Sequence, residues 1–190
     1  MSFLSFTQSL AFITVKDKLF IMLWASLFLL SLNGYSQSHT EYEVKAVYIY
    51  NFAHFIKWSD SAFEQPDSPF VIGVLGGNVF DSHLEEVIKD EKIQDHPIQI
   101  KYFKNIKEVQ NCHILFINKS YRISLQDVYT RISSPVLTIS DANNFTESSG
   151  MIRFYTEDQK IKFEINAEAV AASGLEVSSK LLRIAKLYTP

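Results

Sequence analysis

The sequence predicts a single α/β domain, with a mainly parallel sheet flanked by helices and a C-terminal antiparallel hairpin. Short apolar runs that suit buried strands alternate with stretches of helical periodicity, which is typical of parallel sheets. Two further strand patterns, Met151–Tyr155 and Lys160–Ile165, are separated only by the four residues Thr156–Gln159, which predicts the hairpin. The chain is long enough for one such domain with its own core.

The first 36 residues are predicted to be a secretory signal peptide. The uncharged apolar run at residues 19–32, LFIMLWASLFLLSL, follows Lys16 and Lys18. This run is short for a membrane-spanning helix, which needs roughly 20 apolar residues. Small residues at Gly34 and Ser36 predict cleavage after Ser36, and an uncleaved N-terminal anchor is the alternative. Residues 37–190 would then form the exported domain.

A long helix is predicted over Glu43–Trp58, because this stretch is apolar around most of its circumference and carries its charges near its ends. Residues 59–69 form a polar loop with two prolines. Further short elements alternate along the chain: strand Phe70–Leu75, helix Phe80–Lys89, strands Ile98–Phe103 and His113–Asn118, helix Leu125–Ile132 and strand Val136–Ser140.

The last thirty residues contain a complete supersecondary unit. Lys160–Ile165 alternates apolar and charged residues, as in a half-buried strand. Asn166 can cap a short helix over residues 167–173, and Gly174 can end it with a positive φ. Ser178 is predicted to cap a second helix, in which four residues share one face: Leu181, Ile184, Ala185 and Tyr188.

Charge and cysteine content limit the classes of function. The chain has a formal net charge of −3 at pH 7 and no basic run beyond the leader, which argues against nucleic-acid binding. Cys112 is the only cysteine, so no disulfide can form within the chain. It opens a buried-strand pattern, CHILFIN, in which Cys112 and His113 must point to opposite faces. A buried structural thiol is predicted, with a reactive or intermolecular thiol as the alternative.

Motifs for catalysis, metal binding and cofactor binding are not found. The sequence has no HExxH, no paired His/Cys spacing and no GxSxG elbow, so neither an enzyme nor a cofactor is predicted. The glycine turn after Phe70–Leu75 lacks GxGxxG spacing, although its backbone amides could hold an anion. Open α/β sheets bind ligands beyond the carboxyl ends of their parallel strands. The candidate ligand-binding residues are therefore Gly76, Gly77, Asn78, Ser140 and Asp141.

Aromatic residues crowd the first helix, either as core or as a partner-binding stripe. One side has the spacing of a single stripe: Val44, Tyr48, Phe52 and Phe55. We expect one side of the helix to face the sheet and the other to lie at the surface or under a second copy in a homodimer. The candidate partner-binding residues are Tyr50, His54 and Trp58.

Five segments, in this order, resemble the YfiR-like family of exported bacterial proteins: VKAVYIYNFAHFIKW, FVIGVLGGNVF, CHILFIN, PVLTISDANNFTESSGMIRFYTEDQKIKFEIN and AVAASGLEVSSKLLRIAKL. The resemblance implies a periplasmic regulator that binds the periplasmic part of an inner-membrane sensor or diguanylate cyclase. Inhibition of such a cyclase would lower cyclic-di-GMP and biofilm formation. The disulfides of the family's namesake are not implied for a chain with Cys112 alone. A periplasmic small-ligand binding protein is the alternative function.

We expect the exported protein to be processed, because a short apolar run is followed by small residues at Gly34 and Ser36. N-terminal sequencing of the protein from a periplasmic fraction should begin near Gln37. A product that keeps residues 19–32 and stays in the membrane after carbonate washing would show that the segment is an anchor.

Overall fold

The centre of the protein is a mixed sheet of eight strands in the computed structural model, which describes residues 34–122, 124–132 and 135–189. The predicted leader, residues 1–36, lies almost wholly outside the described residues. The strands are β1 (Ile56–Lys57), β2 (Phe70–Leu75), β3 (Lys92–Ile93), β4 (His96–Phe103), β5 (Ile114–Ile117), β6 (Leu137–Ser140), β7 (Ile152–Glu157), β8 (Lys160–Ile165), β9 (Glu176–Val177) and β10 (Lys186–Leu187).

The order of strands in this sheet is β10-β8-β7-β6-β5-β2-β4-β3. The run from β4 through β2, β5 and β6 to β7 is parallel, whereas β8 is antiparallel to β7 and β3 is antiparallel to β4. β10 returns parallel to β8, and β1 pairs with β9 outside this sheet. The α/β fold and the hairpin are confirmed, but the sheet is mixed, because β8 is antiparallel to β7 and β3 is antiparallel to β4. Two-residue strands such as β3 and β10 are too short to be recognised from periodicity.

Helices cover both faces of the sheet. They are α1 (Gly34–Phe55), α2 (His83–Ile88), α3 (Leu125–Tyr129), α4 (Ala167–Ala172) and α5 (Ser179–Leu182), with 3₁₀ turns at Asp60–Ala62 and Ile106–Glu108. Within the described ranges, no helix combines the length and the apolar character that crossing a membrane requires. Every residue of β2 and of β5 is buried, as expected for parallel strands that are covered on both faces.

The helix α1 packs on the sheet through Ile49 and Phe52, which are fully buried. The Phe52 ring lies 5.8 Å from the Phe154 ring and 4.9 Å from the Phe163 ring, so α1 is anchored on β7 and β8. The stripe predicted to share one side of α1 is wrong at Val44, which is exposed. Lys45, the next residue, faces inward instead.

The end of α1 also differs from the prediction. The helix stops at Phe55, and the next two residues form β1. Trp58 is buried and donates its Nε1–H to the Ala53 carbonyl (3.0 Å). The predicted helix therefore ends three residues early, because pairing of Ile56 with Val177 in β9 replaces the last turn.

The C-terminal unit confirms the predicted caps but not the second helix. Asn166 Oδ1 accepts a hydrogen bond from the Ala169 amide (2.9 Å), and Gly174 has a φ of 82°. Ser178 caps α5, but α5 ends at Leu182 and leaves Ile184 exposed. The predicted shared face does not form, because the following residues join the sheet as β10. Tertiary pairing here overrides a helical pattern.

The hairpin turn is shorter than predicted. Strand β7 extends to Glu157, which pairs with Lys160, so only Asp158 and Gln159 form the turn. Both have positive φ, 51° and 60°, the geometry of the mirror-image turns that match the twist of an antiparallel pair.

Cys112 and His113 point to opposite faces, as predicted. Cys112 is buried in the apolar cluster beside Phe103 and Leu115, and burial raises the pKa of its thiol to about 12. His113 packs against the Phe70 ring, with 4.6 Å between centroids, and its Nδ1 accepts from the Val71 amide (3.0 Å). Burial lowers the pKa of this imidazole to about 4, so the ring is neutral at pH 7.

We predict that Cys112→Ala lowers the free energy of unfolding by about 1–2 kcal/mol, because it leaves a small cavity in an apolar cluster. The melting temperature of the unmodified protein should also be the same with and without reductant, because a single buried thiol forms no disulfide. Thermal unfolding under the two conditions measures this. A large shift with reductant, or a non-reducing gel dominated by linked dimers, would contradict the buried thiol.

Candidate functional site

A cleft of about 1180 Å³ opens at the carboxyl ends of β5 and β6, beside β7. Strand β7 extends past the end of β6, because Ser140, the last residue of β6, pairs with Arg153 near the start of β7. The cleft is lined by residues of α1 (Glu41 and Lys45), of the segments that follow β5 (Lys119, Tyr121, Arg122 and Ser124) and β6 (Asp141–Asn143), and of β7 (Arg153–Thr156).

The cleft lies next to the point where the strand order reverses. Strand β2 lies between β4 and β5, so the crevice typical of open α/β sheets is expected at the ends of β2 and β5. Part of that crevice is filled. A Cβ added at Gly76 would lie 3.1 Å from the Cβ atoms of both Asn118 and Tyr121. The open space is therefore displaced toward β6 and β7.

The five predicted ligand-binding residues do not come together. Asp141 lines the cleft, whereas Gly76, Gly77 and Asn78 are not part of its lining. Ser140 is buried behind Asp141, where its hydroxyl donates to the Ile117 carbonyl (2.6 Å) and accepts from the Ala142 amide (3.0 Å). Ser140 thus ties β6 to β5 and shapes the turn that presents Asp141.

Asp141 is the centre of a buried polar network. Its Oδ2 accepts from Lys45 Nζ (2.7 Å) and from the Tyr42 hydroxyl (3.0 Å), and its Oδ1 accepts from the Lys119 amide (2.8 Å). Lys45 is only 1% exposed, and its Nζ lies 2.5 Å from Glu41 Oε1. Two carboxylates therefore flank one buried ammonium, which leaves the cluster with a net charge of −1.

Tyr42 links this network to the end of β5. Burial and the Asp141 charge raise the pKa of its phenol far above the ordinary value, so the hydroxyl remains protonated and donates to Asp141. The same oxygen accepts from Asn118 Nδ2 (3.0 Å). The Lys45 ammonium also lies over the Tyr42 ring, 4.4 Å from its centroid.

Arg153, on the β7 wall, is held by a second buried carboxylate. Its Nε and Nη2 donate to Glu164 Oε1 (3.3 and 3.2 Å), which also accepts from the Thr146 hydroxyl (2.6 Å). Lys186 Nζ lies 2.9 Å from Glu164 Oε2. Burial alone would raise the pKa of Glu164, but the hydrogen bonds from Thr146 and Lys186 and the Arg153 charge outweigh it and lower that pKa.

The predicted partner-binding residues divide between surface and core. His54 is exposed and Tyr50 is half-buried, with ring centroids 4.8 Å apart. The Tyr50 hydroxyl donates to Glu91 (2.7 Å), which fixes the ring. Trp58 lies in the core and does not reach the surface that Tyr50 and His54 share. Whether this surface binds a partner or a second copy stays a prediction.

Sequence reasoning missed Lys45, Tyr42 and Arg153. Glu41 and Lys45 have the i, i+4 spacing of a helical ion pair, which was an available signal. Nothing local indicated that Lys45 also reaches Asp141. In residues 34–122, 124–132 and 135–189, no three His, Cys, Asp or Glu side chains gather in the way a metal site would need.

We predict that Lys45→Ala lowers the free energy of unfolding by about 3–5 kcal/mol, because it leaves the buried Asp141 carboxylate without its charged partner. Lys57→Ala is the matched control, since Lys57 and Glu176 form an ion pair in which both side chains are 72% exposed. The control should change stability by no more than about 1 kcal/mol. Chemical denaturation measures both, and equal losses would show that the Lys45 pair contributes no more than a surface pair.

Comparison with known proteins gives a match to a family model over most of the chain. No curated protein matches the chain. The model of the YfiR/HmsC-like family matches residues 42–186, a range that begins in α1 and ends in β10. The matched range includes Lys45, Asp141, Arg153 and Glu164, and the match confirms the resemblance inferred from the five sequence segments. The chain belongs to the YfiR/HmsC-like family.

Proposed function

We propose that this protein is a periplasmic regulator that binds the periplasmic part of an inner-membrane signalling protein, such as a diguanylate cyclase, and inhibits it. The observation that carries the proposal is the family match over residues 42–186, which extends over almost the whole described fold. Inhibition of a cyclase would lower cyclic-di-GMP in the cell and so reduce biofilm formation.

The chemistry of the buried polar residues supports regulation by binding rather than catalysis. Burial raises the pKa of the Cys112 thiol to about 12, and the thiol lies on the other face of its strand from His113. Asp141 and Glu164 each take part in a separate ion-paired network, with Lys45 and with Arg153. The thiol of Cys112 and the ring of His113 are packed in the core, and the carboxylates of Asp141 and Glu164 are ion-paired. None of these four groups is therefore available as a nucleophile or a base.

The outward side of α1 supports a protein interface. Tyr50 is held by its hydrogen bond to Glu91 and by the T-shaped contact with the His54 ring, so little side-chain entropy remains to be lost on binding. Val47 is exposed on the same helix. Tyrosine is enriched among the residues that dominate the energy of protein interfaces.

A small-ligand binding protein is the second candidate function, and the cleft beside β5, β6 and β7 favours it. The cleft lies at the carboxyl ends of parallel strands, next to the switch point at which open α/β sheets bind ligands, and its volume of about 1180 Å³ is sufficient for an organic molecule. The two functions are compatible if a bound ligand changes the affinity for the partner.

Capture from membranes tests the regulator directly. The tagged protein should retain an inner-membrane signalling protein, identified by mass spectrometry, and deletion of its gene should raise cyclic-di-GMP. If no membrane protein is captured and cyclic-di-GMP is unchanged, the regulator function is wrong.

We predict that Tyr50→Ala and His54→Ala weaken partner capture while the melting temperature stays almost unchanged. Tyr102→Ala is a matched control, because Tyr102 lies outside α1 and is a tyrosine whose hydroxyl also donates to a glutamate, Glu85. Phe52→Ala should instead lose about 3–5 kcal/mol of stability, since Phe52 is fully buried. If Tyr50→Ala and His54→Ala both keep full capture, the interface lies elsewhere.

A further inference from the structure

We infer that the cleft at the carboxyl ends of β5 and β6 binds a small organic anion, an inference that rests on the ligand-binding function proposed above. The first argument is charge. The cleft is lined by four basic residues and two acidic ones, in a chain whose formal net charge is −3. The excess of positive charge is therefore local.

The positive charges in the cleft are not equally compensated. Lys45 is neutralised by Glu41 and Asp141, and Arg153 is held by Glu164. Across the described part of the chain, neither Lys119 nor Arg122 has a carboxylate within ion-pair distance. Both follow β5 and line the same wall, so two uncompensated cations face one concave space.

Asp141 would be expected to repel an anion, but its charge is already engaged. Its two oxygens accept three hydrogen bonds, from Lys45, Tyr42 and the Lys119 amide. The last of these also fixes the backbone of Lys119 against the cleft wall. Asp141 therefore orders the segment that carries the cations, and the one net negative charge of the Glu41–Lys45–Asp141 cluster is outnumbered by the two positive charges of Lys119 and Arg122.

The remaining lining favours an organic molecule over an inorganic ion. Tyr155 lines the cleft on the β7 side and Tyr121 lines it on the β5 side, which provides apolar ring surface for a carbon skeleton. Ser124 and Thr156 add hydroxyl groups. A space of about 1180 Å³ exceeds what one inorganic ion fills. The class that fits is a carboxylate or phosphate attached to a planar or apolar body.

Calorimetric titration of the exported protein tests this inference. The probes are benzoate and phenyl phosphate, with inorganic phosphate for the anionic group alone and benzyl alcohol for the apolar body alone. We expect phenyl phosphate or benzoate to bind more tightly than either partial probe. Added salt should weaken binding, because the recognition is electrostatic.

The Lys119→Gln/Arg122→Gln double variant should weaken binding of the organic anion by about tenfold or more. The matched control is Lys104→Gln/Lys107→Gln, which removes the same charge from exposed residues outside the cleft. Equal losses in both variants would overturn the inference, since they would show attraction to net charge alone. No binding of either organic anion at millimolar concentration would also overturn it.

Two further outcomes separate this inference from the functions on which it builds. Binding of benzyl alcohol as tight as that of phenyl phosphate would leave a ligand-binding protein but overturn the anionic class. Membrane capture by the Lys119→Gln/Arg122→Gln variant, without added anion, should equal that of the unmodified protein. Loss of capture would mean that these cations bind the partner itself, which also overturns the inference.

Discussion

The rest of the structure depends on one buried ion pair, between Lys45 of α1 and Asp141 after β6. The pair fixes the rotation of the helix, because an ammonium that is 1% exposed has to face its carboxylate partners. With Lys45 inward, Ile49 and Phe52 follow at helical spacing onto the sheet, and Val44 is turned to solvent. Asp141 in turn holds Tyr42 and the Lys119 amide, so the same contact orders the cleft.

Elements whose signal is local were predictable. Strand β2 has the predicted bounds, Phe70–Leu75, because a continuous apolar run marks a strand covered on both faces. The Asn166 cap depends only on a side chain and an amide three residues later. By contrast, Lys45 and Asp141 are 96 positions apart in the sequence. Strand β10 likewise forms only by pairing with β8. A short stretch of sequence does not contain both partners of such a contact. The local periodicity therefore predicted a helix at Lys186, where the structure has β10.

The candidate site shows the same division. The rule for the carboxyl ends of parallel strands identified Asp141, since it needs only the end of an apolar run. It did not predict that Tyr121 packs against Gly76 and displaces the open space. Nor could it unite Lys119, Arg122 and Arg153, which meet because β5, β6 and β7 are neighbours in the sheet. The sheet order therefore decides which polar residues share one cleft, and that order is a property of the whole fold.

The two outer strands of the sheet also bear on how the folded protein behaves at high concentration. β3 and β10 are each two residues long, and each contains a lysine, Lys92 or Lys186. Pro97, opposite Lys92 in β4, has no amide hydrogen to offer. A short edge strand with a charged side chain is a poor template for the addition of a strand from another molecule. Natural sheets use such edge strands to avoid aggregation. Where they pair, at His96–Pro97 of β4 and Glu164–Ile165 of β8, the two-residue strands thus hinder edge-to-edge joining of copies.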